Sequence, residues 1–357
     1  MRKFILILIF FTSLILGLGF FYIYFSNTGL EDVAENGKVL GESEANKDIN
    51  LENILKDVPK NVNDIVKQTA QDVKKITTQK ISEYNIDGVL PFNSNEEEKP
   101  IRIPNTEDYK INSTAGIAMD TNSKKFLFSQ EVEVVLPIAS LTKLMTALVF
   151  LDNNPGWEVI YEVKEEDKRN GGIIYIFPGE KITIENLFNL SLVASANTAT
   201  ICLVHSTGLT EAEFIAKMNE KAKELKLNNT IFFDPIGLNN SNVSTAEEVA
   251  YFAERALNFK HIRQATLISK YEFTTIAGRK VTVNNTDYLL DIFPQNGITL
   301  IGGKTGYTEA ARYCFVGRFI DSLGNEIISV ILGSPDINSR FEETKNLVNW
   351  VYNSYEW

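Results

Sequence analysis

The chain has 357 residues, 44% of them hydrophobic, and a formal charge of −11. That length holds one large domain or two ordinary ones, with enough apolar content for a sizeable core. The acid excess argues against a nucleic-acid partner or a polybasic grip on anionic lipid, both of which call for a basic face.

Taken in order, the chain begins Met1-Arg2-Lys3 and then runs almost uninterrupted through apolar residues from Phe4 to Phe25. Those 22 residues compare with the roughly 20 needed to cross a bilayer as a helix. A cleavable signal usually has a shorter apolar region and a small-x-small cleavage site. Residues 1–25 are therefore expected to be an uncleaved signal anchor, with secretion after cleavage as the alternative. Arg2 and Lys3 would keep the amino terminus in the cytoplasm and leave the rest of the chain outside the membrane.

Residues 26–110 are polar and end in Glu96-Glu97-Glu98, Pro100 and Pro104. Leu51, Leu55, Val58, Val62, Ile65, Val66, Val73 and Ile76 recur at steps of three and four, interrupted by Pro59. The expectation is a solvated stalk, partly helical or disordered; a short coiled coil or partner-binding helix is the alternative.

Residues 111–357 are expected to form the globular domain. Ala115–Asp120 and Lys125–Phe128 predict a β-hairpin, followed by a helix entered at Ser140. Residues 184–206 and 211–226 predict helices, the second with a Thr210/Glu213 capping box. A further helix begins at Ser244-Thr245-Ala246-Glu247 and runs to about Leu257. Strands are predicted over 270–276, 279–284, 298–305, 313–320 and 326–333, with a last helix from Ser339 to about Tyr352. This order indicates α and β segregated around one sheet. Cys202 and Cys314 each lie in an apolar run and are expected to be buried free thiols. His205 and His261 are the only histidines. No Cys/His cluster has metal-ligand spacing and no glycine-rich loop joins a strand to a helix, so neither a metal nor a nucleotide cofactor is expected.

Ser140 and Lys143 are three apart at a helix start and so share a face. A serine hydroxyl becomes nucleophilic when a neighbouring base takes its proton, and a lysine can do so if burial or nearby cations keep it neutral. Two further motifs follow: Ser195-Ala196-Asn197 between apolar stretches, and Lys304-Thr305-Gly306 ending a strand. Ser-x-x-Lys, Ser-x-Asn and Lys-Thr-Gly in this order are the motif set of penicillin-binding proteins and serine β-lactamases.

The chain resembles the D-alanyl-D-alanine carboxypeptidase family, the S11 peptidases or low-molecular-weight penicillin-binding proteins. Besides these motifs, Pro178-Gly179-Glu180, Asp234-Pro235-Ile236-Gly237-Leu238, Ser244-Thr245-Ala246-Glu247 and Gly303–Thr308 carry the likeness. The resemblance implies an α+β fold, with an antiparallel five-stranded sheet flanked by helices and a helical subdomain. It implies Ser140 as nucleophile, Lys143 as base and Ser195 as proton relay to the leaving amine. Asn197 would bind the substrate amide and orient Lys143, Lys304 would be cationic, and Thr305 would hold the substrate carboxylate. The backbone N–H groups of Ser140 and Tyr307, beyond Gly306, would form the oxyanion hole. The implied partners are a peptidoglycan stem peptide ending in D-Ala-D-Ala and β-lactams as covalent inhibitors, with membrane attachment through the amino-terminal helix.

The sequence departs from the family pattern at three places. Thr198 stands where Asp is common, Arg312 stands where Gly usually follows Ala311, and Asn284-Asn285-Thr286 lacks the arginine that some members place there. Competing readings are a D-Ala endopeptidase, a non-catalytic peptidoglycan or β-lactam receptor, and a class A β-lactamase. The last would use Glu254-x-x-Leu257-Asn258, which instead fits the end of an amphipathic helix.

Overall fold

The computed structural model describes residues 99–357. The expected anchor and most of the expected stalk lie outside the described residues. Within them, no helix is long and apolar enough to cross a membrane.

The first short strand, β1 (Ile101–Arg102), pairs with the last, β13 (Tyr355–Glu356). Tyr109 stacks on Trp350 at 5.7 Å between ring centroids, and Trp350 Nε1 donates to Glu107 O. The folded unit thus begins ahead of Ile111, because this polar segment carries a strand and an aromatic ring that the carboxy-terminal helix covers.

The chain proceeds through β2 (Ala115–Asp120), β3 (Phe126–Gln130), β4 (Leu136–Pro137), α1 (Thr142–Asp152), β5 (Ile160–Glu162), β6 (Lys181–Thr183), α2 (Ile184–Val193), α3 (Asn197–Ser206) and α4 (Glu211–Glu224). It continues with β7 (Val243–Ser244), α5 (Ala246–Leu257), α6 (Lys260–Thr266), β8 (Lys270–Thr274), β9 (Lys280–Asn284), β10 (Thr299–Thr308), β11 (Arg312–Ile320), β12 (Glu326–Ser334) and α7 (Ile337–Ser354).

The main sheet has five antiparallel strands in the order β10-β11-β12-β2-β3. β2 is buried throughout and β12 nearly so, because both faces of the sheet are covered. On one face Ile117, Met119, Val316, Ile328 and Val330 join the core made by α1, α2, α3 and α5. On the other, Phe315, Phe319, Ile327 and Ile331 meet Phe341, Leu347, Val348 and Val351 of α7. The α+β architecture, the five-stranded sheet and the flanking helices agree with the expectation.

Two expectations change. The strands predicted over 270–276 and 279–284 do not join the main sheet; β8 and β9 form a separate two-stranded ribbon. In β9, Val281 and Val283 are buried while Lys280, Thr282 and Asn284 are exposed, the alternation of a ribbon covered on one face only. The helix predicted over 184–206 is broken in two, because Ser195 takes a positive φ of 54° between α2 and α3. α6 was not predicted. Helix caps were legible: Thr210 Oγ1 accepts from Glu213 N while Glu213 Oε2 accepts from Thr210 N. Cys202 and Cys314 are buried free thiols.

Candidate active site

The turn before α1 sets the geometry. Ala139–Leu141 is a single 3-10 turn, with Ala139 held at φ 47°. A left-handed alanine costs on the order of 1–3 kcal/mol and persists only where its surroundings over-determine it. Here two glycines press on the turn. A Cβ on Gly237 would stand 2.0 Å from Ala139 O, and one on Gly306 would stand 3.2 Å from Ser140 N. The loop carrying Gly237 is itself fixed by Asp234, whose carboxylate accepts from the backbone N–H groups of Ile236, Gly237 and Asn239. Thr146 Oγ1, one turn along α1, donates to Pro235 O at 2.6 Å.

α1 is buried nearly all round, from Thr142 to Phe150, which carries Lys143 into the interior. Lys143 is 1% exposed. Its Nζ lies 2.8 Å from Ser140 Oγ, 2.8 Å from Asn197 Oδ1 and 2.6 Å from Ile236 O. Burial is the main cause that holds its pKa well below the ordinary lysine value, and the charge of Lys304 adds to it. A neutral amine at hydrogen-bond distance from a serine hydroxyl can take its proton.

Ser195, in the break between α2 and α3, has a buried Oγ with no hydrogen-bond partner. A buried hydroxyl left unpaired is costly and is available to a reacting group. Asn197 starts α3, and its Oδ1 accepts from Lys143 Nζ. Its Nδ2, however, donates to Asn170 O and Gly171 O. The donor expected to meet the substrate amide is committed here to the 168–176 loop.

On β10, Lys304 and Gly306 face the Ser140 turn, while Thr305 and Tyr307 face the other side. Lys304 is buried and donates to Thr305 O at 3.0 Å. Burial, then the nearby Arg340, bring its pKa down to about 7. The cationic wall is therefore titratable near neutrality. Thr305 Oγ1 shares a 2.6 Å hydrogen bond with Thr286 Oγ1. Tyr307 follows Gly306 directly, so its backbone lies beside the Ser140 turn, and its half-exposed ring packs on Tyr313 with centroids 4.4 Å apart.

Arg340 was not singled out from the sequence. It is buried on α7, donates to Gly306 O at 3.2 Å and Cys314 O at 3.3 Å, and leaves Nε unpartnered. It stands on the apolar stripe of Phe341, Thr344, Leu347 and Val348, and an arginine on such a stripe was the available signal. Arg312 is exposed at the β10–β11 turn, and its side chain makes no hydrogen bond or ion pair among the described residues. Thr198 Oγ1 accepts from Arg169 N. In the Glu254–Asn258 segment, Glu254 pairs with Lys124 and Asn258 accepts from Arg318; neither bonds to Ser140, Lys143 or Ser195. Among the described residues, no group of three or more His, Cys, Asp or Glu is placed to hold a metal.

The family model for D-alanyl-D-alanine carboxypeptidase, Peptidase_S11, matches residues 102–336. The chain belongs to the S11 peptidase family. Its S11 domain is 27% identical over 258 residues to D-alanyl-D-alanine carboxypeptidase DacF of Bacillus subtilis, covering 70% of this chain and 65% of that one. It is 33% identical over 251 residues to a D-alanyl-D-alanine endopeptidase of Pseudomonas aeruginosa, covering 68% of this chain and 78% of that one. The solved Streptomyces K15 DD-transpeptidase superposes with a TM-score of 0.64 at 25% identity, over 69% of this chain and 99% of that one. Together these span the described S11 fold, and the chain covers just under two thirds of the Bacillus relative.

Proposed function

We propose that the protein is a serine-type D-Ala-D-Ala carboxypeptidase that removes the terminal D-alanine from peptidoglycan stem peptides. The observation that carries this reading is Lys143: fully buried, driven towards the free amine, and 2.8 Å from Ser140 Oγ. Ser140 Oγ attacks the carbonyl of the penultimate D-alanine as Lys143 takes its proton. The oxyanion is met by the backbone N–H groups of Ser140 and Tyr307, where a single donor is worth about 3–4 kcal/mol of barrier. The amine of the terminal D-alanine leaves with a proton relayed through Ser195. Water, activated by Lys143, then cleaves the ester and restores Ser140. Lys304, with Arg340 behind the strand, supplies the positive side of the cleft for the substrate carboxylate.

A β-lactam would acylate the same serine. The apolar run Phe4–Phe25 would tether the domain on the outer side of the cell membrane, where this substrate is found. A second reading is a D-Ala endopeptidase, favoured by the greater coverage of the Pseudomonas relative. The test uses the full chain in detergent, with a peptide ending in D-Ala-D-Ala, a crosslinked dimer and a fluorescent penicillin. D-alanine release and covalent labelling, both lost in Ser140→Ala, are expected. Cleavage of the dimer alone would support the endopeptidase, and a wild-type chain that neither labels nor cleaves would end the enzyme reading.

A further inference from the structure

Lys304 is a buried cation with one hydrogen bond, to Thr305 O, and no ion pair among the described residues. Arg340, also buried, has no ion pair either, and its Nε is unpartnered. Two buried cations against one strand should not be left unbalanced. One acid is placed to balance them. Asp287, in the turn after β9, is 4% exposed. Its Oδ1 accepts from Leu289 N at 2.9 Å, and its Oδ2 has no hydrogen-bond partner. The side chain fits against β10 because residue 303 is glycine: a Cβ there would stand 2.9 Å from Asp287 Oδ2. Its chain neighbour Thr286 is hydrogen-bonded to Thr305. Asp287 thus lies against the stretch of strand that carries Lys304 and Thr305, although it forms no contact ion pair.

We propose that Asp287 is the counter-ion of the cleft, acting through its field across β10 to keep Lys304 in the ammonium form. This rests on the roles given above to Lys304 and Lys143. Asp287 is a positioning residue in this sense, since it does not reach the reacting atoms.

The neighbouring charges agree in sign. Asp287 raises the Lys304 pKa, against burial and Arg340, which lower it. Burial pushes Asp287 itself up to about 7, opposed by the Leu289 N–H, Arg340 and Lys304, with Asp291 pushing the same way as burial. Lys270 and Asp291 line a cleft of ≈ 400 Å³ together with Asp287. Taking the negative charge away lets Lys304 lose its proton at lower pH, so the alkaline limb of activity moves down. The acid limb stays in place, because Asp287 is largely protonated and Lys304 still charged below pH 7.

The test compares full-length wild type with Asp287→Asn from pH 5 to 10. The readouts are the second-order rate of acylation by a fluorescent penicillin and kcat/KM for D-alanine release, with cooperative melting as the check on folding. The bell should narrow from the alkaline side, that limb moving down by about one pH unit. A uniform fall with both limbs in place would show a packing role and overturn the proposal, as would a wider bell. Should Asp287→Asn not fold, Lys304→Met provides a second reading. There the ¹³C titration of the Asp287 carboxyl should move to higher pH, and no movement overturns the proposal. Absent D-alanine release with intact penicillin acylation would defeat the carboxypeptidase assignment while leaving the limbs measurable.

Discussion

Replacing Gly237 by alanine tests whether the nucleophile is held by a close backbone approach. Gly237 has φ +83°, and its Cβ would stand 2.0 Å from Ala139 O and 2.9 Å from Ser140 N. An ordinary carbon–oxygen contact of about 3.3 Å leaves roughly 1.3 Å to be found by moving one backbone past the other. A left-handed alanine costs about 1–2 kcal/mol, and overpacking a tight site adds about 1–3 kcal/mol. The sum of about 2–5 kcal/mol corresponds to a fall in Tm of between about 4 and 20 °C for a domain of this size. Displacing a reacting atom by about 1 Å costs on the order of 100-fold in rate, so penicillin acylation at Ser140 should fall by about that factor. Thermal unfolding and a labelling time course measure the two effects. A Tm within 1 °C of wild type, in the sense of less than about 0.5 kcal/mol lost, together with an unchanged labelling rate, would refute the clamp.

Three further outcomes are expected. Lys143→Arg puts a permanent cation in place of the free amine and cannot give a free base, so acylation should drop by about 10²–10⁴ at neutral and higher pH. In the wild type it should rise as pH climbs through the depressed Lys143 pKa, and equal rates in the two proteins would remove Lys143 from the base role. Glu343 accepts from Asn112 N, Ser113 N and Ser113 Oγ in a buried site. Glu343→Ala should therefore cost about 2–4 kcal/mol in denaturant unfolding, and a neutral result would mean water replaces the carboxylate. Glu254→Gln should leave the lifetime of the penicilloyl-enzyme unchanged, because Glu254 is engaged with Lys124; a longer lifetime would restore a β-lactamase-like role for it.

The parts of the site legible in the sequence are those that depend on side-chain identity at short spacing. Ser140 and Lys143 meet because a helical turn brings them together, and the Lys304-Thr305-Gly306 strand end could be placed from its apolar run. The parts that stayed hidden act through backbone or over long separation. Ile236 serves Lys143 through its carbonyl oxygen, which any residue type would provide. Arg340 reaches Gly306 O across 34 positions, and no periodicity reports such a distance. The 270–284 segment has the alternation of a strand pair, but alternation gives the exposed face of a ribbon and not the sheet it belongs to. The break at Ser195 is announced only by the Ser-x-Asn motif and not by local composition, because its cause is one positive φ, not a glycine or proline.

The order of strands also determines the order in which the site can be built. β2 and β3 are hairpin neighbours, yet β2 finds its other partner in β12, with Ile117 opposite Val330. Between them in the chain lie every helix of the Ser140 side and both remaining strands of the sheet. Pairings this distant pay their loop-closure entropy before any contact repays it, which makes them slow. A chain growing from its amino terminus completes the Ser140 turn and α1 long before β10 exists to bring Gly306 against them. Until β12 is made, the β2–β3 hairpin presents an unpaired edge, and such edges are where half-made domains aggregate. The nucleophile is made early and put in place late.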